Sequence, residues 1–164
     1  MTFLFWLDSE EIFLNRFFVG MLLMSGVALL FSVFGARLLG LVPCSLCKWE
    51  RVPFMVLILG ASGGLFGFQK RGFFKLVQGA LFLGMGLGCI HFLIQMGVFS
   101  DFCSSARDFG TPEEFVKGLQ RSSCSSISWS VLGVPVSLIN GLSLGTVLGL
   151  SIYLKRKYHR RRRS

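Results

Sequence analysis

Four stretches of this chain are apolar with few interruptions, and each is bounded by charged, polar or turn-forming residues: 17–36, 52–68, 76–99 and 135–154. A helix that crosses a hydrocarbon core takes roughly 20 mainly apolar residues, so the pattern predicts four membrane-crossing helices. The stretch 52–68 is the shortest at 17 residues. It lies at the lower limit of about 17 for a span, where a re-entrant course is the alternative, and it is kept here as spanning. Between the third and fourth stretches, Thr111 and Glu114 have capping-box spacing with Pro112 at the first helical position. Phe115, Val116 and Leu119 would share one face of a helix too short to span, which predicts that it lies along the membrane surface. The expected fold is an all-α membrane protein, a four-transmembrane-helix bundle with a short interfacial helix in its second outer loop, forming a single membrane domain over 1–164.

Composition supports the same class. Apolar residues make up 52% of the chain, with 18 Phe and 20 Gly against 8 acidic residues, which excludes an ordinary soluble domain. A cleaved signal peptide is the alternative for the first stretch, but the acidic lead-in Asp8, Glu10 and Glu11 argues against it. Glycines recur at four-residue spacing as Gly60 and Gly64, Gly84 and Gly88, and Gly141, Gly145 and Gly149. Helices in lipid associate through small residues that let backbones approach, so these stripes are expected at helix contacts.

Charge sets the orientation, because Lys and Arg are retained on the cytoplasmic side. Lys70, Arg71 and Lys75 lie between the second and third stretches, and a basic tail from Lys155 to Arg163 follows the fourth. Segments 69–75 and 155–164 are therefore expected to be cytoplasmic, as are both termini, and segments 37–51 and 100–134 to lie outside. A basic run can bind nucleic acid. Directly after a membrane helix, however, it is better read as a topology anchor or a contact with anionic lipid, so no nucleic-acid partner is expected.

Four of the five cysteines fall in the two outer segments. Cys44 and Cys47 frame a C-x-x-C dithiol after Pro43, at the expected outer membrane face. The two-residue spacing suits a small ring that opens and closes, and one thiol can have its pKa lowered at a helix start. Arg51, four residues beyond Cys47, would sit one turn from that sulfur on a continuous helix and favour a thiolate. Pro53 is tolerated only in a first helical turn, so the second helix is expected to start between Lys48 and Pro53 or to be kinked. Cys103 and Cys124 stand 21 positions apart among serines, small neighbours that leave each sulfur reachable.

Other readings of these residues exist. The alternative for Arg51 is a snorkelling interface residue, and four outer thiols can end as two static disulfides. C-x-x-C is also a zinc-ligand spacing, but a structural site needs a second close pair that Cys103 and Cys124 do not form, so no metal is expected. Cys89, inside the third stretch, reads as inert packing. His91 is an ionisable group at membrane depth and thus a functional candidate, with hydrogen bonding inside the bundle as the alternative.

The run Pro43-Cys44-Ser45-Leu46-Cys47-Lys48-Trp49-Glu50-Arg51 resembles the P-C-x-L-C-x-x-(E/Q)-R signature of DsbB-type disulfide oxidoreductases. Helix number, cysteine order, length and the run from Trp129 to Pro135 are similar to that family as well. The vitamin K epoxide reductase family has the reverse cysteine order. The resemblance implies a quinone-dependent enzyme of the bacterial inner membrane that reoxidises a soluble periplasmic thioredoxin-fold protein of the DsbA type. It implies that Cys103 is joined to that partner, that Cys124 is its loop mate, and that Cys44 exchanges with the loop pair. Cys47 would face the quinone, ubiquinone or menaquinone, with Arg51 on a ring oxygen; His91, from its membrane depth rather than from the resemblance, is the candidate proton donor to the reduced quinone. The alternative class is a non-catalytic membrane scaffold held by static disulfides.

Overall fold

The computed structural model describes residues 2–38, 40, 44–67, 69–100, 124–125 and 130–161. Among them the chain forms α1 (Thr2–Leu38), α2 (Ser45–Trp49), α3 (Arg51–Phe66), α4 (Lys70–Gln95), β1 (Ser130–Val131), β2 (Val134–Pro135) and α5 (Val136–Arg161). The protein is an all-α membrane protein in its main architecture. Among the described residues, three segments are long and apolar enough to cross a membrane: Glu11–Leu38, Lys70–Gln95 and Val136–Lys157. The stretch expected as a further span is the 16-residue α3. At 1.5 Å per residue it rises only about 24 Å, short of a hydrocarbon core of about 30 Å. The expected interfacial helix falls outside the described residues.

The helix ends depart from the apolar windows for local reasons. α1 starts at Thr2, well before position 17, because hydropathy marks only the part of a helix suited to lipid. Lys70, Arg71 and Lys75 belong to the first turns of α4 rather than to a loop. That helix stops at Gln95 instead of 99, since Gly97 adopts φ +75 just past the C-cap Met96, a left-handed stop that glycine tolerates. α5 continues through the basic tail to Arg161, where cations suit the negative end of the helix dipole. A two-stranded antiparallel hairpin, unforeseen in the sequence, precedes α5 and pairs Ser130 with Pro135 and Val131 with Val134. Its two turn residues, Leu132 and Gly133, both take positive φ, 53 and 81, as a tight hairpin turn requires.

α1 packs on α3, α3 on α4, and α4 on α5. The shared core includes Leu14, Phe18, Met21, Phe54, Leu57, Phe74, Val77, Leu81 and Leu144. The outward faces are apolar too: Leu23, Val27, Leu30 and Phe34 of α1, Phe82 and Leu83 of α4, and Leu142 and Leu150 of α5 are exposed. Helices that are apolar inside and outside belong in lipid. Most of the glycine stripes lie at contacts. A Cβ on Gly88 would sit 2.8 Å from the backbone nitrogen of Gly141, so α4 and α5 meet backbone to backbone. Gly149 has no neighbouring atom within 4 Å of such a Cβ and does not belong to that contact.

α4 and α5 run antiparallel, as shown by Gln78 donating to Ser151 Oγ at 3.2 Å and by Lys155 Nζ lying 5.1 Å from the Phe74 ring centre. Lys70, Arg71 and Lys155 therefore gather at one end of the bundle. His91, 21 residues beyond Lys70, lies about 30 Å away at the other end.

Candidate functional site

At that other end, the chain leaves Cys44 in an extended conformation (φ −62, ψ 168) and turns at once into α2. Cys44 is the N-cap, and its sulfur accepts from the backbone N–H of Cys47 at 3.1 Å, one of the unpaired donors of a helix start. One turn of helix then brings Cys47 Sγ within 2.6 Å of Cys44 Sγ, close enough for oxidative pairing, although both are free thiols here. α3 begins at Arg51, so Pro53 lies in its first turn without loss of a hydrogen bond, as the sequence required.

The turn between α2 and α3 points Glu50 inward, where it is buried at 8% exposure. His91 Nδ1 donates to Glu50 Oε1 at 2.7 Å, and Asn140 Nδ2 of α5 donates to Glu50 Oε2 at 3.4 Å. The far ring nitrogen, His91 Nε2, lies 3.8 Å from Cys44 Sγ and 3.4 Å from Gln95 Nε2. Ser137 Oγ donates in turn to Gln95 Oε1 at 2.5 Å. A dithiol from α2, an imidazole from α4 and amides from α4 and α5 thus meet around one carboxylate.

This environment divides the two thiols. Contact with the Cys47 sulfur, together with His91 and the Cys47 N–H, outweighs burial and holds Cys44 down at about 5. The same contact, burial and the Glu50 carboxylate push Cys47 up. Of the two thiols, Cys44 is the one this environment favours as a thiolate.

Cys124 is fully buried and packs with Cys44 and Ile94, with Leu46 and Cys47 against them. It is disulfide-bonded, and Cys103, its expected mate, lies outside the described residues. One cysteine of each pair is thereby in the same buried cluster. Arg51 is turned elsewhere: its Nε donates to Ser32 Oγ at 3.0 Å and its Nη2 to the Ser32 carbonyl at 3.3 Å, tying α3 to α1. Cys89 is exposed rather than buried, at the edge of the α4–α5 contact, where its Sγ would lie 3.6 Å from a Cβ on Gly141.

Sequence reading singled out Cys44, Cys47 and His91 but gave no role to Glu50, Gln95, Ser137 or Asn140. The available signal was Glu50 itself, an acidic residue between two apolar stretches next to a dithiol. Nothing local marked Asn140, which lies 90 positions away along the chain.

The family model described as "Disulfide bond formation protein DsbB" matches residues 14–154. The chain belongs to the DsbB family. No curated protein and no solved structure matches it. As a DsbB-family chain with three helices among the described residues fit to cross a membrane, it is a multi-pass membrane protein of disulfide bond formation.

Proposed function

We propose that this DsbB-family protein reoxidises a soluble periplasmic dithiol protein with a thioredoxin fold, of the DsbA type, and passes the electrons to a membrane quinone. The observation that carries the reading is the burial of Cys124 against Cys44, beside Cys47 and the Glu50–His91 pair. In the proposed cycle the partner's thiolate attacks the Cys103–Cys124 disulfide at Cys103, and Cys124 leaves as a thiolate. Cys124 attacks Cys44 Sγ, which breaks the Cys44–Cys47 disulfide and releases Cys47. The partner's second thiol resolves its mixed disulfide with Cys103, whose thiolate closes again on Cys124 and frees Cys44. The net change is one disulfide formed in the partner and two electrons and two protons held by Cys44 and Cys47.

The His91 ring, oriented by Glu50, faces Cys44 and is placed to give or take the proton of that sulfur as charge comes and goes. The residues present also suit a lipid-soluble quinone. Cys47 is the more exposed residue of the pair, and Trp49 and Val52 beside it expose apolar surface. Arg51 opens α3 one residue past Glu50, and its guanidinium, held on Ser32 of α1, is the cation this reading assigns to a quinone oxygen. When bound, a quinone, ubiquinone or menaquinone, would supply the acceptor for the two electrons and two protons.

The proposed placement is the bacterial inner membrane with α3 as a fourth span, the basic ends of α4 and α5 and both termini in the cytoplasm, and the cysteines at the periplasmic face. The test is quinone reduction by purified protein supplied with a reduced thioredoxin-fold dithiol protein, comparing wild type with Cys44→Ser and Cys47→Ser. Turnover confined to wild type upholds the relay. No turnover by any of the three, across several quinones and partners, returns the cysteines to static disulfides.

A further inference from the structure

The dithiol does not stand alone: Cys44 Sγ, Cys47 Sγ and a ring nitrogen of His91 all lie within 4.8 Å of one another. A tetrahedral zinc ion has bonds of about 2.3 Å to sulfur and about 2.0–2.1 Å to nitrogen, which sets its donors roughly 3.5–3.8 Å apart. The Cys44 Sγ to His91 Nε2 separation is already 3.8 Å. The sulfurs, now 2.6 Å apart, need to part by about 1 Å, a small side-chain rotation of half-buried Cys47. A second observation points the same way. Glu50 Oε1 holds His91 Nδ1 at 2.7 Å, and Asn140 steadies the other carboxylate oxygen. A carboxylate on the far nitrogen is the usual support of a metal-bound imidazole, fixing its tautomer and raising its basicity.

We propose that the reduced protein binds one thiophilic divalent cation of the zinc class through Cys44 Sγ, Cys47 Sγ and His91 Nε2, with Glu50 orienting the imidazole. Binding replaces the remaining thiol and ring protons at the three ligands with the metal, and no electrons move. The Cys44–Cys47 disulfide offers no thiolates, so oxidation of the pair releases the ion. The cation is thus a redox-gated inhibitor: it occupies the sulfur lone pairs that exchange would use. By mass action, free metal at ten times its dissociation constant stabilises the dithiol about tenfold, which raises the potential of this two-electron couple by about 30 mV. The inference does not rest on the quinone relay, because the ligand set is the same whatever the dithiol serves.

The test uses the full-length chain in detergent with Cys89, Cys103 and Cys124 changed to Ser, so that the remaining thiols are Cys44 and Cys47, alongside wild type. Co²⁺ is titrated into reduced protein, and the sulfur-to-cobalt charge-transfer and tetrahedral ligand-field bands are followed. One equivalent should bind, be displaced by Zn²⁺ and fail to bind oxidised protein. Affinity should fall roughly ten- to hundredfold in Glu50→Gln, the range for losing the partner of a metal-bound histidine, and at least as far in His91→Gln. X-ray absorption at the zinc edge of the loaded wild-type dithiol, which needs no variant to fold, should show two sulfurs and an imidazole. Absence of stoichiometric binding, an unchanged cobalt spectrum and affinity in His91→Gln, or a zinc shell without imidazole overturns the site. None of these readouts needs a quinone or a partner protein, so a failed relay would not be mistaken for a failed metal site.

Discussion

Removing the imidazole of His91 should destabilise the fold more than neutralising the carboxylate it binds, and removing both should cost less than the two single changes added together. The pair is short, 2.7 Å, with side chains only 4% and 10% exposed. In His91→Ala, Glu50 keeps only the 3.4 Å contact from Asn140. Leaving one partner of a buried ion pair unmatched costs about 3–5 kcal/mol. In Glu50→Gln, the amide oxygen still accepts from Nδ1, and the loss is the difference between a charge-assisted and a neutral hydrogen bond, about 1–1.5 kcal/mol. The double variant buries no charge and forfeits mainly the packing of the ring, about 2–3 kcal/mol. The two changes should therefore couple by about 2 kcal/mol or more. Reversible unfolding in mixed micelles, driven by a denaturing detergent and followed by helical circular dichroism, measures all four proteins. Effects that add within about 0.5 kcal/mol would refute the reasoning, because independent sites behave that way.

Further outcomes follow from the same geometry. With its pKa lowered to about 5, Cys44 should remain a thiolate above that pH, so its alkylation rate in chelator-treated reduced protein should be flat from pH 6 to 8 and be lost as pH falls through about 5; a midpoint near the ordinary thiol value of 9.0 would contradict the assigned environment. Gly88→Val should lower the free energy of unfolding by about 1–3 kcal/mol or more, because the added carbon meets the backbone of Gly141, which cannot turn aside. Gly149→Ala, with open space around it, should leave the midpoint unchanged or slightly raised. Arg51→Ala should raise the apparent KM for quinone about tenfold, the scale of one charge-assisted hydrogen bond, with the KM for the partner protein unchanged; unaltered quinone kinetics would reduce Arg51 to its bond with Ser32.

What the sequence determined by itself is what depends on neighbours along the chain. Transfer of apolar side chains into lipid is close to additive over a window, so the membrane class and the three long helices were legible from hydropathy alone. The C-x-x-C dithiol and the helix start near Pro53 were likewise local, fixed by covalent spacing and by the missing proline N–H. The nine-residue run around Cys44 was enough to point to the family that residues 14–154 match.

Helix ends were less legible, because Lys70, Arg71 and the basic tail are polar yet helix-compatible, and a hydropathy window stops before them. The hairpin at Ser130–Pro135 was hidden for a related reason: its turn places Leu132, a residue with no preference for positive φ, in the left-handed region. Only the tertiary structure decided which distant groups surround the dithiol. Glu50 meets His91 across 41 positions and Asn140 across 90, and Arg51 turns to Ser32 of α1 instead of following its own helix back to Cys47. Those meetings depend on how closely α4 and α5 approach at Gly88 and Gly141, and on which polar groups must find partners away from water. Both are properties of packed helices, and neither is written in any single segment of the chain.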